Sequence, residues 1–387
     1  MGRTGLKVTH VPKDAIDVTT KILALVPDAF GGRGGIAQYN RDFLSALASC
    51  GHQVVAVPRY APDLVQLPNG VAQRRARAGH FIYSLTVLRE ALRLQPDIVF
   101  CGHLFMAPLA WLAAKSAGAR LVMQTHGIDA WPRPSKLVRR ACEQASIILS
   151  VSRYTRARVL SWAAVPAERA VVLSNTVSDC FAPGEGAALR REWNLEGKTV
   201  LLTVGRMSAN ERYKGHDRVI AALPGLIAAG LGVAYVVAGD GDDRPRLEDL
   251  ARKANVSSYV RFVGSLSLLA LIEAYRTADI FVMPSTGEGF GIVFLEAMAC
   301  GTPALGLDAA GARDALCDGN LGYAVKEEDL GATLARLIST ANPDPHVLSN
   351  AVRERFGRDR FVNAVRSAIS RTLEMQHGDG HAIRAKG

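Results

Sequence analysis

Two glutamates eight residues apart, Glu288 and Glu296, have a side-chain type and spacing that suit the binding of hydroxyl groups. They lie in the segment PSTGEGFGIVFLEA, in which Glu288 precedes a predicted helix and Glu296 lies a little over one turn inside it. Two carboxylates placed in this way can accept hydrogen bonds from two parts of one ligand, such as a sugar and a ribose. Gly289 and Gly291 would allow the backbone to approach that ligand closely. The alternative is that Glu288 is a polar loop residue and that Glu296 complements the helix dipole.

Two cations upstream of the glutamates indicate that the ligand carries a diphosphate. Arg206 follows a predicted strand, and Lys214 lies eight residues later at the start of a predicted helix. Cations at these two places can bind a diphosphate, and they would stabilise the negative charge that develops when such a group leaves. Each cation taken singly also fits an exposed loop, but the two together favour the diphosphate.

A glycine-rich turn, Gly31–Gly35, follows the first predicted strand and opens a helix. The backbone N–H groups of such a turn can approach a phosphate, and the helix N-terminus favours its charge. The turn also fits a loose dinucleotide-binding pattern, although the second strand ends near Arg59 rather than at an acidic residue. Arg59 would suit NADP, so an NADP-dependent dehydrogenase is an alternative interpretation.

Strands that alternate with helices along the chain must position these residues. Short, continuous apolar runs are typical of parallel strands that are buried on both faces. In the first half they are Ile22–Val26, Gln53–Val57, Asp97–Cys101, Leu121–Gln124, Ile147–Val151 and Ala170–Leu173. In the second half they are Thr199–Val204, Ala234–Ala238, Val260–Val263, Ile280–Met283 and Pro303–Leu307.

This alternation predicts two doubly wound α/β domains in tandem. A turn-rich stretch at 178–186 separates an N-terminal domain, residues 1–178, from a C-terminal domain, residues 179–355. Residues 347–375 are predicted as one long helix, and a C-terminal helical segment at 356–387 is expected to pack back on the first domain. Because ligands bind at the carboxyl ends of parallel strands, the site is expected in the cleft between the domains.

Composition excludes several classes of protein. Hydrophobic residues make up 49% of the 387 residues and charged residues 21%, which indicates a folded chain. No apolar run reaches the ~18–20 residues needed to cross a bilayer, and the six cysteines have no zinc-binding spacing. We therefore expect a soluble, cytoplasmic protein that needs no metal. The segment Gly239–Asp242 resembles an Asp-x-Asp metal site, but we interpret it as a turn.

The positive charge is concentrated in the first half of the chain. The net charge is +10, and residues 1–180 carry 22 Lys and Arg against 11 Asp and Glu. Such a face could attract anionic lipid or a polyprenyl-phosphate acceptor at the inner face of a membrane. A solvated basic surface is the alternative. Nucleic acid is not expected, because the basic residues are not interleaved with aromatic residues.

Taken together and in this order, the motifs resemble the retaining glycosyltransferases of family 4. They are the paired glycines of the first turn, Gly-Arg followed by Lys-Gly at the start of the second domain, and Glu-Gly-Phe-Gly with its second glutamate. The resemblance covers nearly the whole chain and implies the GT-B fold, in which two Rossmann-like domains face an interdomain cleft. It also implies that a hexose is transferred from a nucleoside-diphosphate sugar to a glycolipid or polysaccharide-precursor acceptor.

The resemblance further implies roles for individual residues. The catalytic residues would be His126, Arg206, Lys214 and Glu288. The donor-binding residues would be Gly34, Gly35, Arg206, Lys214, Val263, Glu288, Gly289, Phe290, Gly291, Ile292 and Glu296. Of these, Gly34 and Gly35 would contact the distal phosphate, Val263 would lie along the base, and Glu296 would bind the ribose hydroxyls. His126, at a strand end, would contact the sugar near the reacting carbon.

Two motifs depart from the family pattern. Thr176 replaces the usual glycine at the domain junction, and Asp314 stands near the position of a family glutamate that lies close to the donor sugar. General likeness favours GDP-mannose over UDP-hexoses as the donor. The alternatives are a nucleotide-sugar epimerase or phosphorylase of the same fold and a non-catalytic sugar-nucleotide-binding protein.

Overall fold

A computed structural model describes residues 19–60, 66–340 and 342–374 of the chain. Within these ranges the backbone forms two parallel β-sheets, each covered by helices. The predicted architecture of two tandem Rossmann-like domains is therefore confirmed. The predicted domain bounds also include residues 1–18 and 375–387, which lie outside the described residues.

The first sheet is built from short apolar segments. Its strands, numbered β1 to β7, are Lys21–Val26, Gln53–Pro58, Val71–Gln73, Ile98–Cys101, Arg120–Thr125, Ile147–Ser150 and Ala170–Val172. The helices between and beside them, α1 to α5, are Gly35–Ser49, His80–Leu94, Ala107–Ala117, Lys136–Glu143 and Arg153–Trp162. The strand order in the described chain is β3-β2-β1-β4-β5-β6-β7, with every pair parallel.

The second sheet repeats the same design. Its strands, β8 to β13, are Thr199–Val204, Val233–Ala238, Val260–Gly264, Ile280–Met283, Ala304–Leu307 and Tyr323–Val325. Its helices, α6 to α12, are Ala187–Glu192, His216–Ala228, Arg244–Lys253, Leu268–Thr277, Ile292–Ala299, Ala312–Ala315 and Leu330–Ile338. The order β10-β9-β8-β11-β12-β13 reverses direction between β8 and β11, and that reversal leaves a crevice at the carboxyl ends of the strands.

The C-terminal helical region corrects one prediction. The single helix expected at 347–375 is two helices, α13 (Pro345–Phe356) and α14 (Arg358–Glu374). Gly357 separates them in an extended conformation, and its closest neighbour is the Arg353 carbonyl oxygen, which would lie 2.4 Å from an added Cβ atom. The break allows the chain to change direction after α13 has packed against α10.

Helix α14 packs on the first domain. The ring of Phe361 lies edge-on to that of Tyr39 on α1, with centroids 6.0 Å apart. At the other end of the helix, Arg120 Nη1 donates to the Thr372 carbonyl oxygen. One buried apolar cluster runs from the first sheet through α13 and α14 to the second sheet. The two domains are therefore joined by shared core as well as by the linker.

Candidate active site

The most tightly arranged charged group in the predicted site is formed by Glu211, Lys214 and Glu288. Lys214 Nζ lies 3.2 Å from Glu288 Oε1 and 4.0 Å from Glu211 Oε2, and all three side chains are less than one-fifth exposed. Burial opposes the charge on Lys214, but the carboxylates of Glu288 and Glu211 outweigh that effect and raise its pKa. Lys214 is therefore an ammonium group that is held in place before any ligand arrives.

The other predicted diphosphate ligand, Arg206, differs from Lys214 in its surroundings. It follows β8, its side chain is 78% exposed, and it pairs with Glu211. Glu211 thus lies between the two cations and contacts both. Sequence reasoning missed Glu211 because it lies in an irregular turn between the two motifs. The only signal in the sequence is that an acidic residue follows Arg206 at a short distance.

The Gly239–Asp242 segment packs as a turn beside β8. A Cβ atom on Gly239 would lie 2.0 Å from the Gly205 carbonyl oxygen, so no larger residue fits there. Asp242 Oδ1 accepts a hydrogen bond from the backbone N–H of Ala209 at 2.9 Å. Throughout the described residues there is no group of three or more His, Cys, Asp or Glu side chains that could hold a metal ion.

Glu296 is enclosed at the far end of the Glu-Gly-Phe-Gly segment. It lies on α10, and the hydroxyl group of Tyr275 donates to its Oε2 atom at 2.8 Å. Burial, with a smaller contribution from the carboxyl group of Asp42 on α1, outweighs the lowering effect of the Tyr275 hydrogen bond and raises its pKa to about 7. Earlier in the same segment, the side chain of Phe290 packs inward against Phe356, with ring centroids 5.7 Å apart. Because the Phe290 side chain packs inward, the backbone of Phe290, Gly291 and Ile292 is the part of this segment that could contact a ligand.

The N-terminal domain contributes three of the predicted site residues: Gly34 and Gly35 at the start of α1, and His126 at the end of β5. Gly34 is the N-cap of α1 with φ of 91°, and neither Gly34 nor Gly35 has any atom within 4 Å of an added Cβ. His126 follows β5, and its Nε2 atom lies 2.8 Å from the Gly102 carbonyl oxygen. Because that oxygen can only accept, the proton lies on Nε2, and burial lowers the pKa of the ring to about 3. His126 is therefore neutral at physiological pH.

The two domains touch where the predicted site residues converge. A Cβ atom on Gly289 would lie 2.0 Å from the carbonyl oxygen of His126, and one on Gly127 would lie 2.5 Å from Gly289 Cα. This contact brings the loop that carries Glu288 against the strand end that carries His126. Residues predicted from opposite halves of the chain are thus placed in one cleft.

Val263 lies further from this centre. It belongs to β10, which is separated from β8 by β9, and the next residue accepts a hydrogen bond from Gly239 N–H at 2.8 Å. No described contact tests the role of Val263.

Asp314 makes a contact between domains. Arg153, at the start of α5, donates from Nε to Asp314 Oδ1 at 2.6 Å and from Nη2 to Asp318 at 2.8 Å. The backbone N–H of Arg153 also donates to Asp314. Thr176, the other residue that departs from the family pattern, donates through Oγ1 to the Phe356 carbonyl oxygen at 2.7 Å. Both departures from the family pattern thus have structural partners, which the sequence could not reveal.

The fold defines a class of protein: a two-domain GT-B enzyme with a cleft between its domains. Family models agree with this class over most of the chain. Residues 33–179 match the model described as Glycosyltransferase Family 4, and residues 187–355 match the one described as Glycosyl transferases group 1.

Individual proteins give the same result. The chain is 30% identical to a GDP-mannose-dependent alpha-(1-6)-phosphatidylinositol monomannoside mannosyltransferase of Mycolicibacterium smegmatis, over 78% of this chain and 84% of that protein. It is 27% identical to a D-inositol 3-phosphate glycosyltransferase of Geodermatophilus obscurus, over 93% and 89%. The crystal structure of Anabaena Alr3699/HepE in complex with UDP and glucose has the same fold, with a TM-score of 0.74, 19% identity and coverage of 91% and 99%. The chain therefore belongs to the family 4 glycosyltransferases.

Proposed function

We propose that this glycosyltransferase transfers a hexose from a nucleoside-diphosphate sugar with retention of the anomeric configuration. The observation that supports the proposal is the Lys214–Glu288 pair, because it sets a cation and a carboxylate in the loop that contacts His126 through Gly289. In this arrangement Arg206 and Lys214 bind the diphosphate, Glu296 binds the ribose, and Gly34 and Gly35 contact the distal phosphate.

The proposed reaction needs no covalent intermediate with the protein. The bond between the anomeric carbon and the diphosphate oxygen breaks, and the electron pair leaves with the nucleoside diphosphate. The two cations stabilise that charge while the anomeric carbon becomes cation-like. The acceptor hydroxyl attacks from the same face, and its proton passes to an oxygen of the leaving group. Neutral His126 contacts the sugar through a nitrogen that accepts a hydrogen bond, and it does not act as an acid.

GDP-mannose is the donor we propose to test first. The support is that relatives whose names specify GDP-mannose-dependent mannosyl transfer share 29–30% identity with the chain. For the acceptor, we propose a glycolipid or polysaccharide precursor, since the names of relatives specify phosphatidylinositol monomannoside and D-inositol 3-phosphate. The epimerase, phosphorylase and binding-only alternatives lack comparable support among these relatives.

A thermal-shift screen of nucleotides and nucleotide sugars tests the donor. A ligand at 100 times its Kd stabilises the folded state by about 2.7 kcal/mol, so the true donor should raise the melting temperature by several degrees. We expect GDP and GDP-mannose to do so and UDP-glucose to do so less. Product NMR then tests retention, because an α-configured donor should give an α-configured product. A β-configured product would contradict the proposed stereochemistry but not the donor site.

A chelator tests the proposal that no metal is needed. With Arg206 and Lys214 in place, we expect the transfer rate to be unchanged in excess EDTA and unchanged again when Mg²⁺ is restored. A loss of activity that Mg²⁺ or Mn²⁺ reverses would contradict this part of the proposal.

We also propose that the basic N-terminal domain attaches to the inner face of the cytoplasmic membrane. Helix α2 supports this proposal, because Phe81, Ile82 and Leu85 are more than half exposed and Arg89 lies on the same helix. Across the described residues, no helix has the length and hydropathy required to span a bilayer. The test is co-sedimentation with phosphatidylglycerol vesicles, which should weaken as salt rises. Absence of binding, or binding indifferent to salt, would contradict it.

A further inference from the structure

A row of planar side chains extends from His126 along the cleft edge of the first domain. The ring of His126 lies 5.9 Å from that of His103, which lies 4.7 Å from the ring of Phe105. The guanidinium group of Arg59 follows at 5.7 Å from the Phe105 centroid and 5.3 Å from that of Tyr60. We name these five side chains the planar row.

The planar row is assembled from the ends of three strands. Arg59 and Tyr60 follow β2, His103 and Phe105 follow β4, and His126 follows β5. Because these strands are parallel, their carboxyl ends lie at one edge of the sheet, and that edge faces the second domain. The row therefore begins at the residue closest to the proposed reacting carbon and runs away from the donor.

The outer end of the row is not part of a core. Phe105 is 47% exposed and Tyr60 is 50% exposed. Apolar faces of sugar rings stack favourably on exposed aromatic rings of this kind, because such contact removes both surfaces from water. A ring that served packing alone would be expected to bury its faces.

Arg59 supplies a positive charge at the outer end. Its Nε atom donates to the Ala78 carbonyl oxygen at 3.3 Å, and its Nη2 atom lies 2.7 Å from His80 Nε2. These contacts hold the guanidinium plane between the two rings. Among the residues that the structure describes, no carboxylate forms an ion pair with Arg59, so its charge remains for an anionic ligand.

The inner end of the row offers a hydrogen-bond donor. The Nδ1 atom of His103 accepts a hydrogen bond from Phe105 N–H, so the proton lies on Nε2. That Nε2 atom lies 3.9 Å from Asp129 Oδ2, which is too far for a direct hydrogen bond. A ligand hydroxyl group can therefore accept a hydrogen bond from His103 Nε2.

We propose that the planar row is the acceptor-binding site and that it takes an anionic saccharide. A sugar ring of the acceptor stacks on Phe105, one of its hydroxyl groups accepts a hydrogen bond from His103 Nε2, and its anionic group binds Arg59. This inference rests on the proposed transferase function and names the substrate class for it. The donor and the acceptor then approach His126 from opposite domains.

The experiment measures binding to the protein with its nucleotide site saturated by GDP. Mannose 6-phosphate and mannose are the probes, and saturation-transfer difference NMR reports their contact with the protein. We expect mannose 6-phosphate to bind at least about tenfold more tightly than mannose, because only the phosphate reaches Arg59. Arg59→Gln should reduce that preference to near unity, Arg59→Lys should restore part of it, and Phe105→Leu should weaken both sugars.

Matched variants separate this site from general charge and exposure. Arg158→Gln removes the same charge from the same domain, and Leu112→Ala truncates a half-exposed apolar side chain there. Neither should change the binding of either probe. Equal weakening by Arg158→Gln and Arg59→Gln, or no contact of either sugar with the GDP-bound protein, would overturn the inference. The thermal shift with GDP, measured on the same samples, reports the donor site separately, so failure of the proposed function would be distinguishable.

Discussion

At the scale of single residues, the candidate site combines a fixed cation with acids in two different environments. Glu288 is paired with Lys214 and serves as an anion. Glu296 receives the Tyr275 hydroxyl hydrogen in an enclosed position, and its pKa is raised to about 7. The same side-chain type thus supplies a charged partner for Lys214 at one position and a titrating group at the other.

Replacing Glu288 tests the first of these environments. Glu288→Gln keeps the size of the side chain but removes the charge that fixes Lys214, so we expect kcat to fall by about 100-fold or more. The melting temperature should change little. Glu248→Gln is the matched control, because it breaks an exposed Arg244–Glu248 pair of 2.8 Å in the same domain. Comparable activity of the two variants would contradict a catalytic role for Glu288.

Donor binding should strengthen between pH 6 and pH 8. An ionised Glu296 can accept hydrogen bonds from both ribose hydroxyls, whereas a protonated one must donate to one partner. With a pKa of about 7, the Kd for the donor should fall as the group loses its proton. Isothermal titration across this range measures the effect. Asp42 lies nearby and its pKa is about 6, so it could also titrate in this range. If Glu296 is the cause, the change in donor Kd with pH should persist in Asp42→Asn.

The raised pKa of Glu296 has the opposite consequence for the stability of the folded protein, which should fall as pH rises. Its folded value lies above the unfolded value near 4.5, so the stability that Glu296 contributes at low pH is lost as pH rises through about 7. Glu296→Gln should therefore raise the melting temperature at pH 8 while weakening nucleotide binding. A lower melting temperature at pH 8 would show that burial is not the cause of the raised pKa.

At the scale of elements, the cleft depends on two loops that contact each other through glycine backbone atoms. The loop before α10 and the end of β5 touch at Gly289 and Gly127, where backbone lies against backbone. A Cβ atom at Gly289 would clash with the His126 carbonyl oxygen unless one loop moved. The contact therefore sets the separation between the domains at this point of the cleft.

Gly289→Ala tests this contact. The added methyl group should force the loops apart, so we expect kcat to fall by more than tenfold while each domain stays folded. Gly225→Ala on α7 is the control, since its Cβ atom meets nothing within 4 Å. Circular dichroism and activity measure the two effects. Full activity of Gly289→Ala would mean that this closed contact does not form during turnover.

At the scale of the whole molecule, the relation between the domains rests on polar contacts as well as on shared core. Arg153 links α5 to Asp314 and Asp318 of the second domain, and Thr176 ties the linker to the end of α13. Arg153 is 57% exposed, so water and salt screen the pair. Such a contact can favour the closed arrangement without locking it.

Removal of the Arg153 contact should therefore open the molecule. We expect Arg153→Ala to increase the radius of gyration in small-angle X-ray scattering and to raise the donor KM several-fold, because a closed cleft is less populated. High salt should reproduce part of the change in the original protein. Arg158→Ala is the control, since Arg158 bonds to the Trp131 carbonyl oxygen within its own domain. Equal scattering curves for the three proteins would contradict the role of Arg153.

Sequence reasoning predicted the elements of this fold to different extents. The long apolar strands were correct within a residue or two, because burial on both faces leaves a continuous run of large side chains. The edge strands Val71–Gln73 and Tyr323–Val325 were missed, since strands of three residues that are not buried throughout carry no such signal. The break at Gly357 was also missed, because a helical pattern continues on both sides of it.

The local motifs determined what the sequence alone could settle: the family, the two-domain fold, and the candidate roles of Glu288, Lys214 and Glu296. Residues of one loop or helix are neighbours because of the covalent chain, so their spacing can be read directly. Only the tertiary structure decided that Gly289 meets Gly127, that Arg153 pairs with Asp314, and that the planar row forms one surface. Those partners are distant in sequence, and they come together because parallel strands bring their carboxyl ends to a common edge and the second domain closes over it.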